Sequence, residues 1–182
     1  LLASLALSLG EASADSGRQY SDDDVLASQR GFSLHWRDSY NKGDVAYCGG
    51  AYLEDASLHV SLGPISTALN RLLEGADPHI FRGRGAIGKF WNTSFHSAGL
   101  RDLQAYEEGG EYASTAFVVD DGTVIVEGKF VFNTGLVKGQ IFSETWVRRD
   151  AEWKIQSAMA AVQDVDPSSF LLAAPTTAPA QK

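Results

Sequence analysis

KGQIFSETWVRRDAEWKIQSAMAAVQ, residues 138–163, reads as two strands, 138–149 and 152–163, separated by Asp150-Ala151. Its β-branched and aromatic residues alternate with polar ones, the period of a strand with one covered face. Working back towards the N-terminus, Thr134-Gly135 and Asp121-Gly122 are hairpin turns, and they bound strands at 123–133, 111–120 and about 101–108. Residues 101–163 are therefore expected to form an antiparallel meander.

The first hundred residues read differently. Ser21-Asp22-Asp23-Asp24 fits a capping box, with acids facing the positive end of the helix dipole. The helix it opens is expected to run to about Asn41, with Val25, Phe32, Trp36 and Tyr40 on its buried stripe. Lys42-Gly43-Asp44 ends it, and Asp44 can cap a second short helix through Tyr52. Residues 56–62 alternate as a strand. Ile65, Ala68, Leu69, Leu72 and Leu73 have helical spacing within the stretch 63–81. A further helix is expected over 85–98, with Ile87, Phe90, Trp91, Ser94 and Ala98 on one face. Helices first and a meander afterwards make the chain α+β.

The 182 residues suit one domain, and 44% apolar with 21% charged residues is a globular composition. Fifteen basic against twenty-three acidic residues give −8, which argues against nucleic acid or an anionic membrane as partner. One cysteine, Cys48, and four scattered histidines offer no metal cluster, and Cys48 reads as a small buried hydrophobe. Gly83-Arg84-Gly85-Ala86-Ile87-Gly88 has dinucleotide-fingerprint spacing, but an irregular stretch is expected before it and antiparallel hairpins after it, so it is expected to serve the turn into a helix. Neither a metal nor a cofactor is expected. Asn92-Thr93-Ser94 is a glycosylation sequon inside an expected helix. Leu1–Gly10 is apolar and uncharged, and Ala12-Ser13-Ala14 follows, the pattern of the later part of a secretory signal. A signal over 1–14, and a secreted or periplasmic protein starting near Asp15, are expected. The domain then spans 15–163, with an insertion at 63–81, and a Pro/Ala/Thr tail occupies 164–182.

One side chain stands out for chemistry. In 140–148 the face that carries Phe142 and Trp146 also carries Glu144. A carboxylate between two aromatics on a core-facing strand is poorly solvated, which raises its pKa and marks it as a site candidate. A solvated face, or an arginine partner for Glu144, is the competing reading.

Four stretches, in this order, resemble the nuclear transport factor-like superfamily, in its SnoaL-like and ketosteroid-isomerase-like branch. They are Tyr40-Asn41-Lys42-Gly43-Asp44, Tyr52-Leu53-Glu54-Asp55-Ala56-Ser57-Leu58, the segment Arg82–Trp91, and Trp146–Ile155. The resemblance implies a cone: a strongly curved, mainly antiparallel sheet of about six strands wrapped around N-terminal helices. This is the cystatin-like α+β roll, with an apolar pocket at its open end. Ketosteroid isomerases use a first-strand Asp as base, with a Tyr and a protonated Asp as oxyanion hole. By the resemblance those positions fall on Val60, Trp36 and Glu144. Val60 cannot accept a proton, so the chain is not expected to be a ketosteroid isomerase proper.

The resemblance thus implies a binder of a small, largely apolar molecule, non-catalytic, with Trp36, Tyr40, Val60, Phe142 and Trp146 lining the pocket and Glu144 orienting the ligand. The alternative is a SnoaL-like lyase, cyclase or isomerase in which Glu144, with His59 or Tyr40, moves a proton. A homodimer through the outer sheet face is also expected. Strict alternation from Glu144 would turn Ile141, Thr145 and Val147 outward, Ile155, Ser157 and Met159 inward, and Ala158, Ala160 and Val162 outward.

Overall fold

The structure is a computed structural model that describes residues 20–62, 79–108, 112–135 and 137–165. The elements in chain order are α1 (Asp22–Asn41), α2 (Val45–Gly50), β1 (Tyr52–Ser61), β2 (His79–Arg82), α3 (Arg84–His96), β3 (Arg101–Gln104), β4 (Thr115–Asp120), β5 (Thr123–Thr134), β6 (Val137–Arg149) and β7 (Glu152–Val165). The sequence expectations for residues 1–14, for the helical spacing at 65–73 and for the tail beyond 165 lie outside the described residues.

Ser21 caps α1 as its sequence requires, its Oγ accepting from the Asp24 N–H at 3.2 Å and donating to the Asp24 carboxylate at 2.7 Å. The buried residues of α1 are Val25, Gln29, Ser33, Trp36, Ser39 and Tyr40; Phe32 is only half-buried. Three polar residues are thus buried on this helix, and Gln29 donates its side-chain amide to the Ser33 hydroxyl. Asp44 caps α2, and Tyr52 belongs to β1, not to that helix. Helices α2 and α3 touch through glycines. A Cβ on Gly49 would come within 2.8 Å of the Gly88 Cα, so Gly49 tolerates no side chain without the helices separating, whereas a Cβ on Gly88 would meet Gly49 at an ordinary 3.8 Å.

Seven strands form one open sheet in the order β2-β1-β7-β6-β5-β3, with β4 also pairing β5. All pairs are antiparallel except β1 with β7, where the first strand lies beside the last. The strand beyond the expected six is β2, whose residues fall at the end of the presumed insertion and pair with β1 from Ser57↔Arg82 to Val60↔His79. The expected strand 101–108 stops at Gln104, and the expected strand 111–120 begins only at Thr115. A left-handed turn at Tyr106, φ 60°, explains the first boundary.

The inner face packs on α1 and α3. On β6 it carries Gln140, Phe142, Glu144 and Trp146, all buried; on β5 it carries Val124, Val126, Phe130 and Phe132. A bulge between Thr145 and Trp146 corrects the strict alternation expected along β7. Thr145 faces Ser157 while Trp146 faces Ile155, so Gln156 is the extra residue. The bulge keeps Ile155 inside and places Ala158, Ala160 and Val162 inside as well, whereas Met159 is turned out. Val147 lies on the outer face as expected, opposite Thr123 and Lys154, and is buried there.

Candidate functional site

Alternation along β6 brings Glu144 to the inner face, in a row with Val126 on β5, Ala158 on β7 and Leu58 on β1. These neighbours offer it no polar group, and the side chain is 1% exposed. Its partners come from elsewhere. Trp146, two residues along the same face, donates its Nε1–H to one carboxylate oxygen at 2.8 Å. Tyr106, from the turn after β3, donates its hydroxyl between both oxygens, at 3.1 and 3.0 Å. Burial pushes the Glu144 pKa from 4.5 up to about 7, and the two donors restrain the rise by favouring the charged form. The phenols of Tyr106 and Tyr52 are held well above their ordinary value by burial, then by the charge of Glu144. Tyr52 accepts the indole N–H of Trp91 at 3.3 Å.

The other site residues expected from sequence are placed as follows. Trp36 is fully buried on α1, stacked on Phe130 and edge-on to Tyr106, with its Nε1–H donated to the Cys48 carbonyl at 3.2 Å. Phe142 stacks on Phe130 with centroids 4.0 Å apart and meets Tyr106 edge-on at 5.4 Å. Trp36, Phe142, Trp146 and Glu144 are thus brought together around Tyr106. Tyr40 lies further along α1, among Phe95 and Phe132, and its hydroxyl donates to the Leu100 carbonyl at 2.8 Å. Val60 is buried one row away from Glu144, in line with Ala160 and Phe142. His59 lies on the opposite side of the sheet and lines a groove there, so the expected pairing of His59 with Glu144 is corrected: strand alternation forbids it. Tyr40 makes no hydrogen bond to Glu144 either, since its proton goes to Leu100. Tyr106 is the residue that sequence reasoning missed, because it looked like one more position of a strand.

Three cavities bear on function. A cleft of about 450 Å³ opens between the N-terminal half of α1 and the β4–β5 hairpin, lined by Leu26, Gln29, Ser33, Tyr106, Ala116 and Val126. Asp23, Arg30 and Glu108 stand at its rim, with Arg30 and Glu108 ion-paired. A groove of about 500 Å³ runs over the outer sheet face past His59, Ser61, Glu127, Ile141, Ser143 and Met159. The third, about 540 Å³, lies between α2 and α3 beside Arg84 and Lys89. Trp36, Tyr40, Val60, Glu144 and Trp146 line none of these three, and Phe142 lines the outer groove. Of the groups hydrogen-bonded to Glu144, Tyr106 is the one that lines the α1 cleft; Val126, the cross-strand neighbour of Glu144, lines it too but offers no polar atom. Among the described residues, no group of three or more His, Cys, Asp or Glu could hold a metal ion, and no helix is long and apolar enough to cross a membrane.

No family model matches the chain, and no curated protein matches it by sequence. Solved structures match it by fold. An NTF2-like protein with a cystatin-like fold from Novosphingobium aromaticivorans superposes with a TM-score of 0.52 at 14% identity, covering 82% of this chain and 89% of the other. An NTF2-like protein of unknown function from Pseudomonas putida gives 0.55 at 8% identity, over 82% and 94% of the two chains. A putative calcium/calmodulin dependent protein kinase II association domain from Xanthomonas campestris gives 0.52 at 13%, over 81% and 93%. At such identities the likeness establishes the fold, a nuclear transport factor-like, cystatin-like α+β roll.

Proposed function

We propose that this fold binds a small, largely apolar molecule in the cleft between α1 and the β4–β5 hairpin, without chemical turnover. One observation carries the reading: Tyr106 lines that cleft while its hydroxyl is fixed on a carboxyl that is itself out of contact with the cavity. Leu26, Ala116 and Val126 supply apolar walls, Gln29 and Ser33 a short polar strip, and the volume falls within the usual range of small-molecule sites. Glu144 in this reading holds Tyr106 in place and does not touch the ligand.

A second reading has its own support. A carboxyl with a pKa near 7, hydrogen-bonded to a phenol, is suited to general acid–base work at neutral pH. Any proton leaving Glu144 for the α1 cleft would pass through the Tyr106 hydroxyl. Replacing Glu144 with Gln separates the two, because it removes the titration and keeps the shape. For a binder, affinity for naphthol-sized alcohols and ketones should change by about tenfold or less, the worth of one hydrogen bond. For an enzyme, turnover of such compounds should fall by about 10²–10⁴ while binding persists. We expect the first result.

The outer face supports a homodimer. Ile80, Ile141 and Met159 are 47%, 50% and 60% exposed on it, and Met159 and Ile141 flank the groove. Large apolar side chains clustered on one sheet face suit a covered surface. Glu127 and Lys129, two residues apart on β5, give this face both signs of charge, which suits a self-complementary contact. Light scattering should report about twice the 19.6 kDa chain mass, and Met159→Glu should return it to that of one chain. A single-chain mass for the unmodified protein at micromolar concentration would refute the dimer.

A further inference from the structure

We propose that Arg37 is a positioning residue for the site: by holding the backbone carbonyl before Tyr106 and the side-chain carboxylate after it, it keeps Tyr106 in the left-handed conformation that lays its hydroxyl on Glu144. The inference rests on the reading of the Tyr106–Glu144 pair as the working part of the site.

Tyr106 has φ 60°, a region that residues other than glycine rarely adopt and that bulky side chains avoid. Such a conformation persists only where the surroundings over-determine it. Arg37 supplies that constraint from α1. Its Nη1 donates to the carbonyl of Ala105, the residue before Tyr106, at 3.2 Å, and lies 3.7 Å from the carboxylate of Glu107, the residue after it. The guanidinium is itself oriented by Asp38, which accepts from Nε at 3.0 Å and from Nη2 at 2.8 Å. The chain beyond Tyr106 is tied back on itself, since the Glu107 N–H donates to the Tyr112 carbonyl and the Ser114 N–H to the Glu107 carbonyl.

Neighbouring α1 side chains extend the same grip. Tyr40 donates to the Leu100 carbonyl, and Asn41 both donates to and accepts from the backbone of Leu103, at 2.9 and 2.8 Å. Arg30 holds Glu108. Arg37 alone of these brackets Tyr106, and its planar fork lets Nε and Nη2 engage Asp38 while Nη1 faces the Tyr106 segment, a combination that a single lysine ammonium cannot reproduce. The pKa of Glu144 is set by burial, Trp146 and Tyr106, so Arg37 reaches it through Tyr106.

The test is a carboxyl-carbon NMR titration of Glu144 in the full chain, comparing the unmodified protein with Arg37→Ala, Tyr106→Phe and the double variant. Losing a donor to the carboxylate disfavours its charged form, so Tyr106→Phe should raise the midpoint by about 0.5–1 pH unit. Arg37→Ala should raise it in the same direction. The double variant should rise no further than Tyr106→Phe alone, because both changes remove one and the same hydrogen bond. A midpoint left unmoved by Arg37→Ala, or a shift that adds to that of Tyr106→Phe, would overturn the inference. Should Arg37→Ala fail to fold, Arg37→Lys carries the comparison, with an upward shift supporting the inference and an unmoved midpoint overturning it. Failure of the underlying reading looks different: Glu144 of the unmodified protein would then titrate as an ordinary carboxyl.

Discussion

As pH rises from 4.5 through about 7, the folded protein is expected to lose about 3 kcal/mol of stability through Glu144, and Glu144→Gln should remove that loss. The sign follows from where the proton sits. An unfolded chain releases it near 4.5, whereas the buried carboxyl of the folded chain keeps it to about 7. Between those values the folded state binds more protons, so stability falls as pH rises. The contribution is complete below 4.5 and gone above about 7. The gap of about 2.5 pH units corresponds to about 3 kcal/mol, a large share of the about 5–15 kcal/mol that holds an ordinary domain together. Surface carboxylates bend the same curve, so the measurement is the difference between the two proteins in urea unfolding at each pH. Parallel stability curves for the two would sink the idea of a dry, protonatable carboxyl in the core.

Trp36→Ala should cost about 3–5 kcal/mol, as for large aromatics truncated in well-packed cores. Its indole is fully buried, stacks on Tyr40 and Phe130 at 5.7 and 6.1 Å, and meets Trp91 edge-on at 4.9 Å. The substitution also strips the Cys48 carbonyl of the Trp36 indole donor. Thermal or urea unfolding should show the loss directly. By contrast, Ala116 lines the α1 cleft on a half-buried strand, so Ala116→Trp should fill the cleft at far smaller cost to folding. A near-native stability for Trp36→Ala would mean that its site is an open pocket wall rather than packed core.

The contrast between these residues shows what the sequence made legible. The Ser21 cap, the α1 stripe and the alternation of β5 and β6 are local patterns, and each element forms where its pattern lies. Glu144 was legible for the same reason: it sits at even spacing between Phe142 and Trp146, and the hydrophobic face drags it inside. Non-local features were not legible. Beside Glu144, Tyr106 comes from a turn thirty-eight residues away in sequence and depends on a left-handed backbone that no residue type announces. The bulge opposite Trp146 adds Gln156 to β7 and reverses the alternation beyond it, which simple periodicity cannot show. The parallel pairing of β1 with β7 likewise depends on how the two ends of the domain meet. Trp36 and Tyr40 read as pocket walls because aromatics on an inner face look the same whether they surround space or fill it. The polar positions Gln29 and Ser33, which line the cleft and are bonded to each other, were the better pointers to it.

The most direct test of the whole account is chemical-shift mapping of the full chain against a set of naphthol-sized alcohols and ketones. The account predicts saturable changes at Leu26, Ser33, Ala116 and Val126, together with the Tyr106 ring, and none of comparable size across the sheet at His59 and Met159. Saturable changes confined to His59, Ile141 and Met159, with the α1 cleft silent, would contradict it and move the site to the outer face.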